Sequence, residues 1–154
     1  MQKIIRAGML SGLALALGVS VWGQDHATTM AKLPAPVRAT VEAQVAQGAK
    51  LRGLSTDMEN GQREYEAELT VAGKHRDIAM DATGRITEQE DAVKLASLPA
   101  AAQAALRKQG TVVRVEAVSA QGKFEAYEAV VRKANGKRVE VRVDKAGQAL
   151  PDNG

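Results

Sequence analysis

The chain has 154 residues, a formal net charge of +3, no cysteine and only 3% aromatic residues. Without cysteine it has no disulfide framework, no thiolate nucleophile, no Cys-ligated metal and no c-type haem. The basic excess is no argument for nucleic acid. Lys3 and Arg6 are the only charges in residues 1–23, so +3 becomes +1 once that leader is set aside, and no Arg/Lys run with interleaved aromatics follows.

Residues 1–23 read as a secretory signal peptide. Lys3 and Arg6 form a basic start, Ala7 to Val21 is apolar and uncharged, and Val21-Trp22-Gly23 puts small residues at the −3 and −1 positions of a cut between Gly23 and Gln24. The alternative, a retained anchor, asks for ~20 apolar residues, which this stretch falls short of. The expected location is periplasmic or secreted, with no membrane attachment after cleavage. Residues 24–32 are polar and unpatterned and read as a flexible lead-in.

Leu33-Pro34-Ala35-Pro36 opens the first unit, since proline is tolerated in the first helical turn. Val37, Val41 and Val45 then make an apolar stripe, and Gly48 is a natural helix stop. Beyond it the period changes to two. Tyr65, Ala67, Leu69 and Val71 alternate with Glu64, Glu66, Glu68 and Thr70, and Asn60-Gly61 and Gly73 mark hairpin turns. Pairing Ala67 with Ile78 and Tyr65 with Met80 requires a two-residue turn at Ala72-Gly73. Asp81-Ala82-Thr83-Gly84 ends the third strand, a short fourth is expected around Arg85–Glu88, and Glu88–Lys94 reads as a linker.

The second unit repeats this grammar. Leu98-Pro99 opens a helix with Ala102, Ala105 and Leu106 on one side, basic Arg107 and Lys108 near its negative end, and Gly110 beyond. Strands with Tyr127, Ala129 and Val131, then Val139, Val141 and Val143, follow. A three-residue loop, Ala134-Asn135-Gly136, is the one that sets Val131 against Val139, Ala129 against Val141 and Tyr127 against Val143. Asp144-Lys145-Ala146-Gly147 repeats the Asp-x-x-Gly turn, and Gln148–Leu150 is the expected fourth strand. The fold class is therefore α+β, in two tandem repeats (33–91 and 92–154). Each is a short helix followed by a three- or four-stranded antiparallel β-meander.

Leu-Pro, helix, Tyr-x-apolar strand and Asp-x-x-Gly, written twice behind a signal peptide, resemble the PepSY-like domains of bacterial envelope proteins over Leu33 to about Pro151. The resemblance implies a helix packed on an antiparallel sheet. Tandem copies are similar in architecture to the beta-lactamase inhibitor protein. PepSY domains occur in propeptides of secreted metallopeptidases. The likeness therefore implies a non-catalytic partner-binding role, such as restraining an exported peptidase, and brings no catalytic residues and no cofactor.

The residues agree that no catalytic centre is written here. Ser55, Ser97 and Ser119 lack a neighbouring His or a Gly-x-Ser-x-Gly context, and no Gly-rich loop precedes a helix. His26 and His75 have no second His or Cys at metal spacing, so His75, beside a turn, reads as a solvated surface residue and no metal ligand set is assigned. Tyr65 and Tyr127 read as core. Phe124 differs from Tyr127 in parity unless a bulge intervenes. One sharper candidate follows from the register. Glu64, Glu66 and Glu68 share a face, with Glu68 opposite Asp77, Glu64 opposite Asp81 and Asp57 opposite Glu64, whereas the second unit opposes Glu128 to Arg142. Like charges opposed across strands are destabilising, so Asp57, Glu64, Glu66, Glu68, Asp77 and Asp81 form a candidate face for a basic partner. The alternative occupant is a hard cation such as Ca²⁺, in an envelope-stress or structural role. The plain reading of the same residues is a solvated strand face screened by salt and neighbouring Lys and Arg.

Overall fold

A computed structural model of the chain describes residues 26–59 and 61–151. The signal-peptide reading, its cleavage site and Asn60 of the first hairpin turn lie outside the described residues. The elements run β1 (His26–Ala27), α1 (Ala35–Ala46), β2 (Lys50–Glu59), β3 (Gln62–Val71), β4 (Lys74–Met80), β5 (Ile86–Ala92), α2 (Ala100–Gln109), β6 (Thr111–Ala120), β7 (Lys123–Arg132), β8 (Arg138–Val143) and β9 (Ala149–Leu150). The protein is α+β: the strands form one nine-stranded antiparallel sheet in which spatial order equals chain order.

Both helices lie on the same face of that sheet, each over its own apolar cluster. Under α1, Leu33, Val37 and Val41 meet Tyr65, Ala67, Leu69, Ile78 and Met80. Under α2, Leu98, Ala102 and Leu106 meet Val115, Ala129, Val131 and Val143. The expected α1 stripe is shorter than its sequence spacing suggests: Val37 and Val41 are 0% exposed but Val45 is 45% exposed. A four-residue step overshoots the 3.6-residue turn by about 40° each time, so the third valine has rotated off the sheet. α1 stops as its glycine foretells. Gly48 N–H bonds to Val45 O and Ala49 N–H to Gln44 O, which closes the last turn on itself.

Register follows the apolar rows. Ala67 pairs with Ile78 and Tyr65 with Met80 around a two-residue turn. Val131 pairs with Val139, Ala129 with Val141 and Tyr127 with Val143, and Lys133 and Lys137 close the three-residue loop. A shift of the β6–β7 ladder between Val118 and Ser119 brings Phe124 onto the side of Tyr127, where the two rings stand 4.8 Å apart.

The two Asp-x-x-Gly turns press on the helices. Gly84 and Gly147 have φ +78° and +77°, and a Cβ on either would collide with a first-turn carbonyl, Pro36 O of α1 or Ala101 O of α2. Only glycine meets both demands. Thr40 Oγ1 fastens the first of these contacts by donating to Gly84 O at 2.7 Å.

Two expectations need correction. The expected lead-in, residues 24–32, carries secondary structure from His26 onward: β1 pairs with Ser55 and Thr56 of β2, and a 3-10 turn spans Met30–Lys32. The backbone there finds hydrogen-bond partners on the open edge of β2 that its polar side chains do not advertise. Glu88–Lys94 was read as a linker, yet β5 runs to Ala92 and pairs with β4 on one side and β6 on the other. The sheet is thus continuous across the expected boundary between 91 and 92. β5 hides in the sequence because it is polar on both faces. On the helix side Arg76 Nε bonds to Asp91 Oδ1 at 2.6 Å and Gln89 Nε2 to Asp91 Oδ2 at 2.7 Å, filling the seam between the two apolar clusters.

Candidate functional site

Alternation sends every second residue to the face away from the helices, and there the carboxylates collect. Glu68 stands opposite Asp77, and Asp77 opposite Glu90, one acidic row across three strands. One step along, Glu116 stands opposite Glu128, and Glu128 opposite Arg142. Asp57 faces Glu64 as expected. Carboxylates on this side of the sheet extend beyond the first unit, and the most buried of them stand on β5, β6 and β7.

The six candidates are not equivalent. Ser55 Oγ donates to Glu66 Oε2 at 3.0 Å. Glu64 is buried and accepts from Thr87 Oγ1 at 3.2 Å. Glu68 folds toward Gly53, where a Cβ would meet its Oε2 at 3.2 Å, beside the irregularity of β2 between Leu51 and Gly53. Asp57 Oδ1 accepts from Met58 N–H at 2.6 Å. Asp77 Oδ2 lies 2.8 Å from His75 Nε2. Asp81 does not join them. Its carboxylate accepts from the Thr83 and Arg85 amides and from Arg85 Nε. The Thr83 hydroxyl above all holds it below the ordinary carboxylate range; burial opposes this, and the Arg85 and Thr83 amides and the Arg85 side chain add to the lowering. It belongs to the turn that Asp144 repeats by accepting from Gln148 N–H at 2.8 Å.

Sequence reasoning missed Glu90 and Glu116. Burial, reinforced by Glu128, Glu116, Glu88 and Asp77, pushes the Glu90 carboxyl up to about 9, so it is protonated at neutral pH. Burial and Glu140 raise Glu128 to about 7 despite Arg142. Burial also raises Glu116, against Arg114 and His75. Arg142 is itself buried and stands 3.7 Å from both Glu125 and Glu128, which is ion-pair range without a hydrogen bond. Glu116 was legible in principle, because its parity matches Val118 and Ala120. Glu90 was not, since its strand shows no apolar alternation.

His75 is half-buried and does not stand alone. His75 and Asp77, two apart on β4, share this face, and Glu116 reaches them from β6. One ligand atom from each lies within 4.8 Å of the others. No sequence spacing announces this triad, because the third member comes from two strands away.

No protein-family model matches the chain, and no curated protein matches it. Solved structures do share its fold. A protein of Bacteroides eggerthii described as periplasmic aligns with TM-score 0.62 at 16% identity, over 77% of this chain and 86% of its own. A DUF2874 family protein of Bacteroides uniformis aligns with TM-score 0.61 at 17% identity, over 77% and 86%. A BLIP-like protein of Bacteroides fragilis aligns with TM-score 0.53 at 17% identity, over 79% and 87%. At this identity the likeness establishes the BLIP-like fold and nothing of the chemistry. Among the described residues no helix is long and apolar enough to cross a membrane.

Proposed function

We propose that this chain is an exported, non-catalytic protein-binding module made of two PepSY-like repeats. It acts in the periplasm or outside the cell after cleavage between Gly23 and Gln24, and its partner is an exported peptidase held through a basic segment. The single observation that carries this reading is the acidic row Glu68, Asp77 and Glu90 on the face the helices leave alone. Glu68 and Asp77, directly opposed, raise the free energy of the unbound protein, the same crowding helps to keep Glu90 protonated, and a cationic partner relieves it. Further support comes from the paired Asp-x-x-Gly turns lying on equivalent helix starts, and from the fold shared with a BLIP-like protein.

The test is capture from an envelope extract with the purified protein and with its Glu66→Lys/Glu68→Lys variant. An enriched peptidase whose activity falls when the protein is added, with both effects lost in the variant, is the expected result. Capture that survives charge reversal, or a captured peptidase whose activity is unchanged, sinks the proposal.

A further inference from the structure

We propose that His75, Asp77 and Glu116 form a binding site for a first-row divalent transition-metal ion, zinc(II) being the best match. The placement comes from the sheet. β4 turns His75 and Asp77 to one face, and Glu116 of β6 reaches over β5 at Ala92, the residue directly opposite it. That small side chain leaves the way open. The three ligand atoms lie within 4.8 Å of one another, and His75 Nε2 already stands 2.8 Å from Asp77 Oδ2. A tetrahedral zinc ion with bonds of ~2.0–2.2 Å holds its ligands about 3.3 Å apart, so side-chain rotation closes the remaining gap.

A second observation is independent of the clustering. Glu116 is only 2% exposed, and its Oε1 has no hydrogen-bond partner among the described residues. Asp77 Oδ1, in the same cluster, has none either. The nearest counter-charge, Arg114 Nη2, stands 3.4 Å from the other oxygen of Glu116, Oε2. Buried acceptors with nothing to accept from are unfavourable, and a bound cation satisfies them. Glu90 opposite Asp77 and Glu128 opposite Glu116 add carboxylates around the site. His75 keeps 37% of its side chain exposed, which gives an ion a way in.

The donor set selects the metal. One imidazole nitrogen with two carboxylate oxygens suits a borderline cation that accepts three protein ligands and a water. Calcium takes six to eight oxygens and magnesium an octahedron of them, so neither is served by this trio. The assignment stands whether or not the face also holds a protein partner.

The experiment is isothermal titration of the purified protein, free of any affinity tag, with zinc chloride alone, and in parallel with calcium chloride. One zinc per chain is expected, with a rise in Tm. His75→Gln and Glu116→Gln are each expected to weaken zinc by more than the ~10–100-fold that losing a mere supporting group costs. His26→Gln, on the far edge of the sheet, is expected to bind as the parent does. Should a variant fold poorly, the ring-proton NMR signals of the parent keep the test open: zinc must shift His75 and leave His26 in place. Absence of saturable zinc binding, equal loss on His26→Gln, or a larger Tm rise with calcium than with zinc overturns the proposal.

Discussion

On the helix side of the sheet, Ala67, Ile78, Ala129 and Val131 meet the undersides of α1 and α2 in two apolar clusters. On the other side, Glu68, Asp77 and Glu90 stand shoulder to shoulder across three strands with no apolar residue between them. The same backbone ladders serve both faces, so the difference lies in the side chains alone. One face satisfies itself by burial, which is where the stability arises. The other withdraws carboxylates from water without giving each a partner, as at Asp77 Oδ1 and Glu116 Oε1. Groups kept at a cost to stability make this face the candidate for meeting something outside the chain.

The contrast can be broken most forcefully from the apolar side. Leu106→Ala empties a fully buried position under α2 and is expected to cost about 2–5 kcal/mol in urea unfolding. Next comes the turn that seats on that helix. Gly147→Ala sets a methyl group 2.5 Å from Ala101 O at a positive φ, for a loss of roughly 2 kcal/mol or more. Gly122→Ala, with a similar φ but nothing within 4 Å, should cost only about 1 kcal/mol. Equal losses at the two glycines would show that backbone strain, not the pressure on α2, sets the penalty.

The charged face should respond with the opposite sign. The Glu90 carboxyl is raised from 4.5 to about 9 in the folded protein. Its contribution is therefore fully present below pH 4.5 and is lost as pH rises toward 9. Glu90→Gln in metal-free protein is expected to flatten that decline, raising stability at pH 8 and leaving it unchanged at pH 4. A variant whose Tm tracks the parent at both pH values rules this out. Smallest of all is Val45→Ser. With Val45 45% exposed, its effect should stay within about 0.5 kcal/mol.

The two faces also differ in how far their sequence could be read. Tyr65, Ala67 and Leu69 announce their strand because alternation with glutamates leaves one register that keeps apolar residues together, and β7 and β8 obey the same logic. β5 carries no such signal: Gln89 and Asp91 face the helix side, Glu88 and Glu90 the other. A strand whose partners are themselves polar cannot be told from a linker by hydropathy. β1 is held by main-chain bonds to β2, which no side-chain pattern encodes. The strand positions of Asp57, Glu64, Glu66, Glu68 and Asp77 follow from the alternation, whereas Asp81 is claimed by a local hydroxyl, two amides and Arg85 Nε. The His75, Asp77 and Glu116 cluster depends on β5 being a strand, since only then does β6 come to lie two places from β4. One misread segment therefore hid the most informative cluster in the molecule.

The order of the sheet has a bearing on how the chain finds its shape. Because each strand lies beside its neighbours in sequence, every ladder but two is closed by a tight turn or short loop. The exceptions, β1 with β2 and β5 with β6, each span a helix. Low sequence separation between partners keeps the entropic cost of search small and favours rapid assembly. Growth can proceed strand by strand from either end, with no distant segment awaited. The two helix-spanning connections are the slow joints in such a process. Lengthening the loop at Ala134-Asn135-Gly136 should change the folding rate less than lengthening the segment between β5 and β6.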